Sequence, residues 1–236
     1  MIEVDAVIIT AMREEMAPFE ERSDTLGRSS TLGQATIRLS SFGPAHVLLV
    51  TCGIGLVNAA IATALAVNRS RPARVISAGS AGGLHADVRV GDVVAGTSYV
   101  YGGADARMFG YSLGQVPGMP PSYAPAPDLV AAARASDGVR LLRGPVISGD
   151  AFVDGTSVDQ VRARFPDALA TDMESAAIAH TCHLFDVPFL AVRAISDLCG
   201  PAAGAEFHLA VEDAAARSAD VALGLIAGAD RAPQPV

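Results

Sequence analysis

The sequence predicts an α/β protein, a three-layer α/β/α sandwich around a mixed, largely parallel central sheet. Three observations predict it. Apolar, β-branched runs recur along the chain with the continuous hydrophobicity of strands buried on both faces. Segments of helical period separate them, so strand and helix alternate over most of the length. Half of the 236 residues are hydrophobic, enough apolar material for one large core.

The elements follow in order. VDAVIIT (4–10) reads as a first buried strand, and MREEMAPFEER after it as a short helical or loop segment. ATIRLS and HVLLVTCG supply two further strands, and GLVNAAIATALAVNRS an amphipathic helix that starts after a glycine pair. ARVISAGSAGG is a buried strand running straight into glycines, and VGDVVAGTSYVYG is the next strand. Residues 102–125 are rich in Gly, Pro and aromatics, which predicts a long irregular segment with a functional reason to be ordered. APDLVAAARAS reads as a helix, VRLLRGPVISGD as a strand and TSVDQVRARFP as a helix. The short strand ALATDM, the helix ESAAIAHTCHLF, the buried strand VPFLAVRAISD and the long helix AEFHLAVEDAAARSADVALGLIAG complete the series. No repeat or linker divides the chain, which predicts a single domain over 1–229 and a frayed tail over 230–236.

Charge and cysteines exclude several classes. A net charge of −8 with 17 basic residues and no basic run argues against nucleic-acid or anionic-membrane partners. Cys52, Cys182 and Cys199 show no paired spacing, so a reducing cytoplasm is expected. The N-terminus lacks a basic, apolar leader, and the helical apolar runs are too short to span a bilayer.

Polar residues gather at strand ends, the place where open α/β sheets bind ligands. Glu14 and Glu15 follow the first strand, Gly79–Gly83 follow ARVIS, Asp150 and Phe152 follow PVIS, Asp172 and Glu174 follow ALAT, and Asp197 ends VRAISD. SAGSAGG is neither a P-loop nor a dinucleotide fingerprint; it is a tight turn or a loop that lets backbone approach a ligand. Taken alone, Asp197 fits a helix cap as well as an acid. His180 and His183 stand at i, i+3 without a third ligand in register, so no metal is expected.

AMREEM, SAGSAGGL, GDAFVDG, TDMESAAIAH and VRAISD, in that order and spacing, resemble the nucleoside phosphorylase/hydrolase superfamily over about residues 4–225. Within it they are most similar to the bacterial 5′-methylthioadenosine/S-adenosylhomocysteine nucleosidases. The resemblance implies a nucleoside phosphorylase-like fold, a homodimer and no cofactor. It also implies hydrolysis of an N-glycosidic bond to adenine in methionine salvage, with an adenosine thioether and water as substrates. That chemistry needs an acid at the purine, a base for water and a group gripping the ribose hydroxyls.

The resemblance casts Asp197 as the acid and Glu15 as the base, with Glu14 the competing register. Glu174 becomes the ribose ligand and Met173 its apolar floor; Arg193 orients a carboxylate, unless it is a solvent-facing strand end. Asp172 is expected to cap the following helix. Phe152 would stack on adenine, with Val153 reading its edge and Ser196 beside it. Ser80 would stand by the water, and Met12, Ile54, Ala81 and Gly82 would line the substrate. Phe207 would border the 5′ group. Phe109, Tyr111 and Pro117 of FGYSLGQVPG would reach the pocket of a partner subunit. Arg13 stands where the family usually has an acid, which keeps a phosphate-dependent phosphorylase open. A futalosine-type nucleosidase and a nucleoside-binding module are the other readings.

Overall fold

The computed structural model describes residues 2–200 and 203–227, without side-chain detail for 203–210 and 227. The tail expected over 230–236 lies outside the described residues. The chain runs β1 (Ile2–Val4), β2 (Ala6–Thr10), α1 (Arg13–Glu21), β3 (Thr25–Leu26), β4 (Ser30–Leu32), β5 (Ala35–Phe42), β6 (Ala45–Thr51) and α2 (Leu56–Arg69). It continues through β7 (Ser70–Pro72), β8 (Val75–Gly83), β9 (Val93–Tyr101), α3 (Pro127–Ala132), β10 (Leu141–Ser148) and α4 (Val158–Arg164). It ends with β11 (Ala170–Asp172), α5 (Ser175–Leu184), β12 (Phe189–Asp197) and α6 (Ala203–Ala227).

The central sheet is mixed, in the order β11-β10-β9-β12-β8-β2-β6-β5-β3, with β4 on β5. Successive side chains of the middle strands point to opposite faces, and both faces are covered. Val7 and Ile9 of β2 pack with α2 and α5, while Ala6 and Ile8 pack with α1, α3 and α6. That two-sided burial is why β2, β8 and β12 read as continuous apolar runs.

The sheet also closes on itself at one end, which alternation along the sequence does not reveal. β11 pairs parallel with β10 and antiparallel with β8, so β8, β12, β9, β10 and β11 form a ring. The glycine-rich end of β8 permits the closure. Gly82 faces Thr171 and Gly83 faces Ala170, and a Cβ on Gly83 would sit 2.9 Å from Leu198. The ring gathers the carboxyl ends of β8, β10, β11 and β12 around one space.

Two boundaries differ from expectation. The first strand is interrupted at Asp5, whose carboxylate accepts the His46 amide at 2.8 Å; Val4 instead pairs with Pro72 in a separate two-stranded sheet. The helix after Ala126 stops at Ala132, because the Ala133 carbonyl accepts the side chains of Arg134 and Arg143 instead of a further helical amide. Residues 102–125 are irregular, with one 3₁₀ turn at Arg107–Phe109 and isolated bridges Tyr99–Tyr123 and Asp105–Leu113. Among the described residues no helix is long and apolar enough to cross a membrane.

Tyr99 takes up the amide just beyond the last β9–β12 pair, Ala95 with Val192. Its buried hydroxyl accepts the Ala191 amide at 2.7 Å, and the ring stands against Phe189. Tyr123, also buried, has a hydroxyl with no partner among the described residues. Tyr99→Phe should therefore cost about 1–3 kcal/mol in urea unfolding, by stranding a buried amide, whereas Tyr123→Phe should be close to neutral.

Candidate active site

A single cleft opens beyond the strand ends, lined by residues that follow β2, β8, β10, β11 and β12. Glu15 forms one wall. It occupies the third position of α1 and is buried. One carboxylate oxygen accepts the amides of Ala11 and Met12 at 2.9 and 3.1 Å, which caps the helix start. The other accepts the amide and the hydroxyl of Ser80 at 2.8 and 2.9 Å. Glu14 is exposed, as is Arg13 beside it, and neither lines the cleft. Of the two acids it is Glu15 that lies in the cleft, and Arg13 does not line it.

Asp172, Glu174 and Arg193 form the second cluster. Arg193 is 1 % exposed, which overturns the solvent-facing alternative. Its Nε lies 2.7 Å from an Asp172 oxygen, and its Nη2 lies 3.8 Å from Glu174 and donates to Ser77 Oγ at 2.8 Å. Its Nη1 has no partner among the described residues. Asp172 also accepts the Glu174 and Ser175 amides at 3.3 and 3.2 Å, at the first turn of α5, and the hydroxyls of Ser148 and Ser175. It therefore tethers the helix start and the arginine together.

Glu174 faces the cleft with less support. It accepts the Gly55 amide at 3.0 Å, and its Arg193 contact is longer than that of Asp172. Burial pushes its carboxyl up to about 7; Arg193 and the Gly55 amide oppose that rise, while Asp172 and Glu15 add to it. Gly79 makes the arrangement possible, because a Cβ there would lie 2.6 Å from Glu15 Oε1 and 2.7 Å from Arg193 Nη1.

Asp197 closes the opposite wall. It is 2 % exposed at the end of β12. One oxygen accepts the Cys199 amide at 2.8 Å, delivered by a left-handed backbone at Cys199 (φ 56°). The other lies 2.9 Å from Ser196 Oγ, which in turn lies 3.3 Å from the Ala81 carbonyl. A Cβ on Gly82 would collide with the Cys199 sulfur, so glycine there lets the Cys199 turn pack against β8.

The cleft brings together most of the residues singled out from sequence. Met12, Ile54, Ser80, Ala81 and Gly82 line it beside Glu15, as do Phe152, Val153, Met173, Glu174, Ser196 and Asp197. Arg193 lies behind the lining. Phe207 belongs to α6, but its side chain is outside the described residues. Phe109, Tyr111 and Pro117 do not line the cleft; Phe109 is 73 % exposed. Ala11, Thr171 and Cys199 line it without having been anticipated, and Asp172, expected only as a helix cap, lines it too. The serines behind it, Ser77, Ser148 and Ser175, had one sequence signal: hydroxyls within, or just beyond, otherwise apolar strands. His180 bonds the Tyr101 hydroxyl at 3.0 Å and stacks on Tyr123. Among the described residues no group of three or more His, Cys, Asp or Glu could hold a metal ion.

Because folding raises the Glu174 carboxyl above its ordinary 4.5, the native state favours the protonated form. Its contribution is present below pH 4.5 and lost as pH rises through about 7. Glu174→Gln should therefore match the parent in urea unfolding near pH 4.5 and exceed it at pH 8 by on the order of 2 kcal/mol.

Comparison with known proteins places this geometry in a family. The model of the Phosphorylase superfamily matches residues 5–227. A 5′-methylthioadenosine/S-adenosylhomocysteine nucleosidase of Bacillus subtilis is 38 % identical over 224 residues, covering 93 % of this chain and 96 % of that one. The same-named protein of Chromohalobacter salexigens is 41 % identical, over 90 % and 92 % of the two chains. Among solved structures, the Neisseria meningitidis nucleosidase in complex with methylthio-immucillin-A superposes with a TM-score of 0.90 at 36 % identity, over 94 % and 97 % of the chains. That of Colwellia psychrerythraea in complex with adenine gives 0.91 at 34 % identity, over 95 % of each.

Proposed function

The chain belongs to the phosphorylase superfamily and, within it, to the 5′-methylthioadenosine/S-adenosylhomocysteine nucleosidases, and we propose that it hydrolyses the N-glycosidic bond of those two nucleosides. The products are adenine and the 5-thio-substituted ribose. The observation that carries the reading is the pairing of two separately held carboxylates, Glu15 and Asp197, across one cleft whose described lining has no lysine or arginine.

Adenine leaves poorly as an anion, so the bond breaks as its N7 is protonated. Asp197 supplies that proton. The Cys199 amide and the Ser196 hydroxyl donate to its two oxygens and hold it at the cleft. As the bond electrons move onto the purine, positive charge develops on the ribose. Glu174, ionised, accepts hydrogen bonds from the vicinal hydroxyls and faces that charge. Glu15 takes a proton from water as its oxygen bonds C1′, and two Ser80 donors keep the base oriented. Arg193 Nη1, which has no partner among the described residues and lies near Glu15, is suited to hold the same water. Phe152 and Val153 form the purine side, and Met173 the sugar's apolar floor.

Several features support a homodimer. Met108 is 85 % exposed and Phe109 73 % at the tip of the irregular segment, and Val57 and Ile61 of α2 are exposed too. A second copy covers such surface and receives Phe109, Tyr111 and Pro117 at the 5′ end of its cleft. The three cysteines are free and buried, in keeping with a reducing cytoplasm.

Phosphorolysis needs a cationic anion site, and the cleft instead presents Glu15, whose charge repels phosphate. Adenine release from 5′-methylthioadenosine should proceed at the same rate with and without phosphate; strict phosphate dependence would overturn the hydrolase reading. Asp197→Asn should lower turnover by more than about 10²-fold while still binding 5′-methylthiotubercidin, whose 7-deaza ring offers no N7 to protonate.

A further inference from the structure

Two consecutive amides at the start of α2 are held by two carboxylates from distant parts of the chain. The Gly55 amide donates to Glu174 at 3.0 Å, and the Leu56 amide donates to Asp150 at 2.8 Å. Gly55 is the N-cap of α2, so the helix has no capping side chain of its own. The left-handed backbone of Gly55 (φ 107°) favours glycine, and a Cβ there would sit 3.1 Å from Asp150 Oδ1. Asp150 is exposed and does not line the cleft. It nevertheless stands two residues before Phe152, while Ile54 precedes Gly55. A single hydrogen bond thus ties the purine-side wall to the ribose-side wall.

The geometry points to Asp150 as a positioning residue for nucleoside binding. By holding the Leu56 amide it fixes the start of α2, and so keeps the Gly55 amide on Glu174 and Ile54 in the cleft lining. The inference rests on the assignment of Glu174 to the ribose hydroxyls. It makes Asp150 act through Glu174 and not on the substrate. Losing the Gly55 donor also leaves Glu174 with less opposition to its rise. The groups facing that carboxyl are Asp172 from β11, Arg193 from β12, Glu15 from α1 and the Cys52 thiol beyond β6. Only Arg193 among them favours ionisation, so the pH below which affinity is lost should move upward when the Gly55 amide is released.

The test is equilibrium binding of 5′-methylthiotubercidin to the full-length protein from pH 5 to 9, for the parent, Asp150→Ala, Asp150→Asn and Glu174→Gln. Asp150→Ala should weaken binding roughly tenfold at neutral pH and shift the acid edge of affinity upward. Asp150→Asn keeps the acceptor oxygen and should stay within about threefold of the parent. The inference is overturned if Asp150→Ala binds like the parent. It is equally overturned if Ala and Asn weaken binding alike with an unmoved acid edge, the mark of a helix cap that only adds stability. If Glu174→Gln itself binds like the parent, the ribose assignment fails and the inference falls with it. A Glu174→Gln loss beside an unaffected Asp150→Ala removes the inference alone.

Discussion

One buried guanidinium has to answer for three buried carboxylates. Arg193 sits at the centre of Glu15, Asp172 and Glu174 with 1 % of its surface exposed. Burying an ion without a partner costs several kcal/mol, so the surroundings are organised to keep each charge satisfied. Asp172 takes the close contact and a set of amides and hydroxyls. Glu15 is satisfied by four donors from Ala11, Met12 and Ser80. Glu174 is left with one amide and a distant guanidinium nitrogen. The cluster is thus graded, and its least satisfied member, Glu174, is the one proposed to meet the ribose hydroxyls.

The fold serves that gradient. Closing β11 onto β8 brings Asp172 and Glu174 against the glycine-rich end of the strand that carries Ser80. Gly79 leaves room for Glu15 and Arg193 to approach, and Gly82 leaves room for the turn at Cys199 that holds Asp197. Each glycine substitutes space for a side chain where a charged group must come within contact distance. Asp197 stands outside the arginine cluster, which is why the proposed mechanism gives the leaving purine to one wall and water and sugar to the other.

Much of this was legible in the sequence, and the reasons for the rest are physical. The strands were legible because both their faces are buried, and the cleft because polar residues stood at their ends. Individual motif residues such as Glu15, Glu174 and Asp197 were legible through the resemblance; on their own, helix capping explains an acid at a strand end equally well. Glu15 and Asp172 in fact do both, since each accepts helix-start amides while facing the cleft. The burial of Arg193 was not legible, because a strand position does not say which face or end is wet. Ring closure was not legible either, since the β11–β8 pairing is a tertiary contact between two residues of each strand. The break at Asp5 depends on an amide forty-one residues away and left no local sign.

In the proposed mechanism Glu174 is held half-satisfied until a ribose diol completes its hydrogen bonding. The direct measurement is a ¹³C-carboxyl NMR titration of Glu174, assigned through Glu174→Gln, in the free protein and with 5′-methylthiotubercidin bound. Titration near 7 is expected in the free protein, with a clear fall on binding, because the hydroxyls favour the charged form. An ordinary carboxylate titration in the free protein, or one that the nucleoside leaves unmoved, would contradict it.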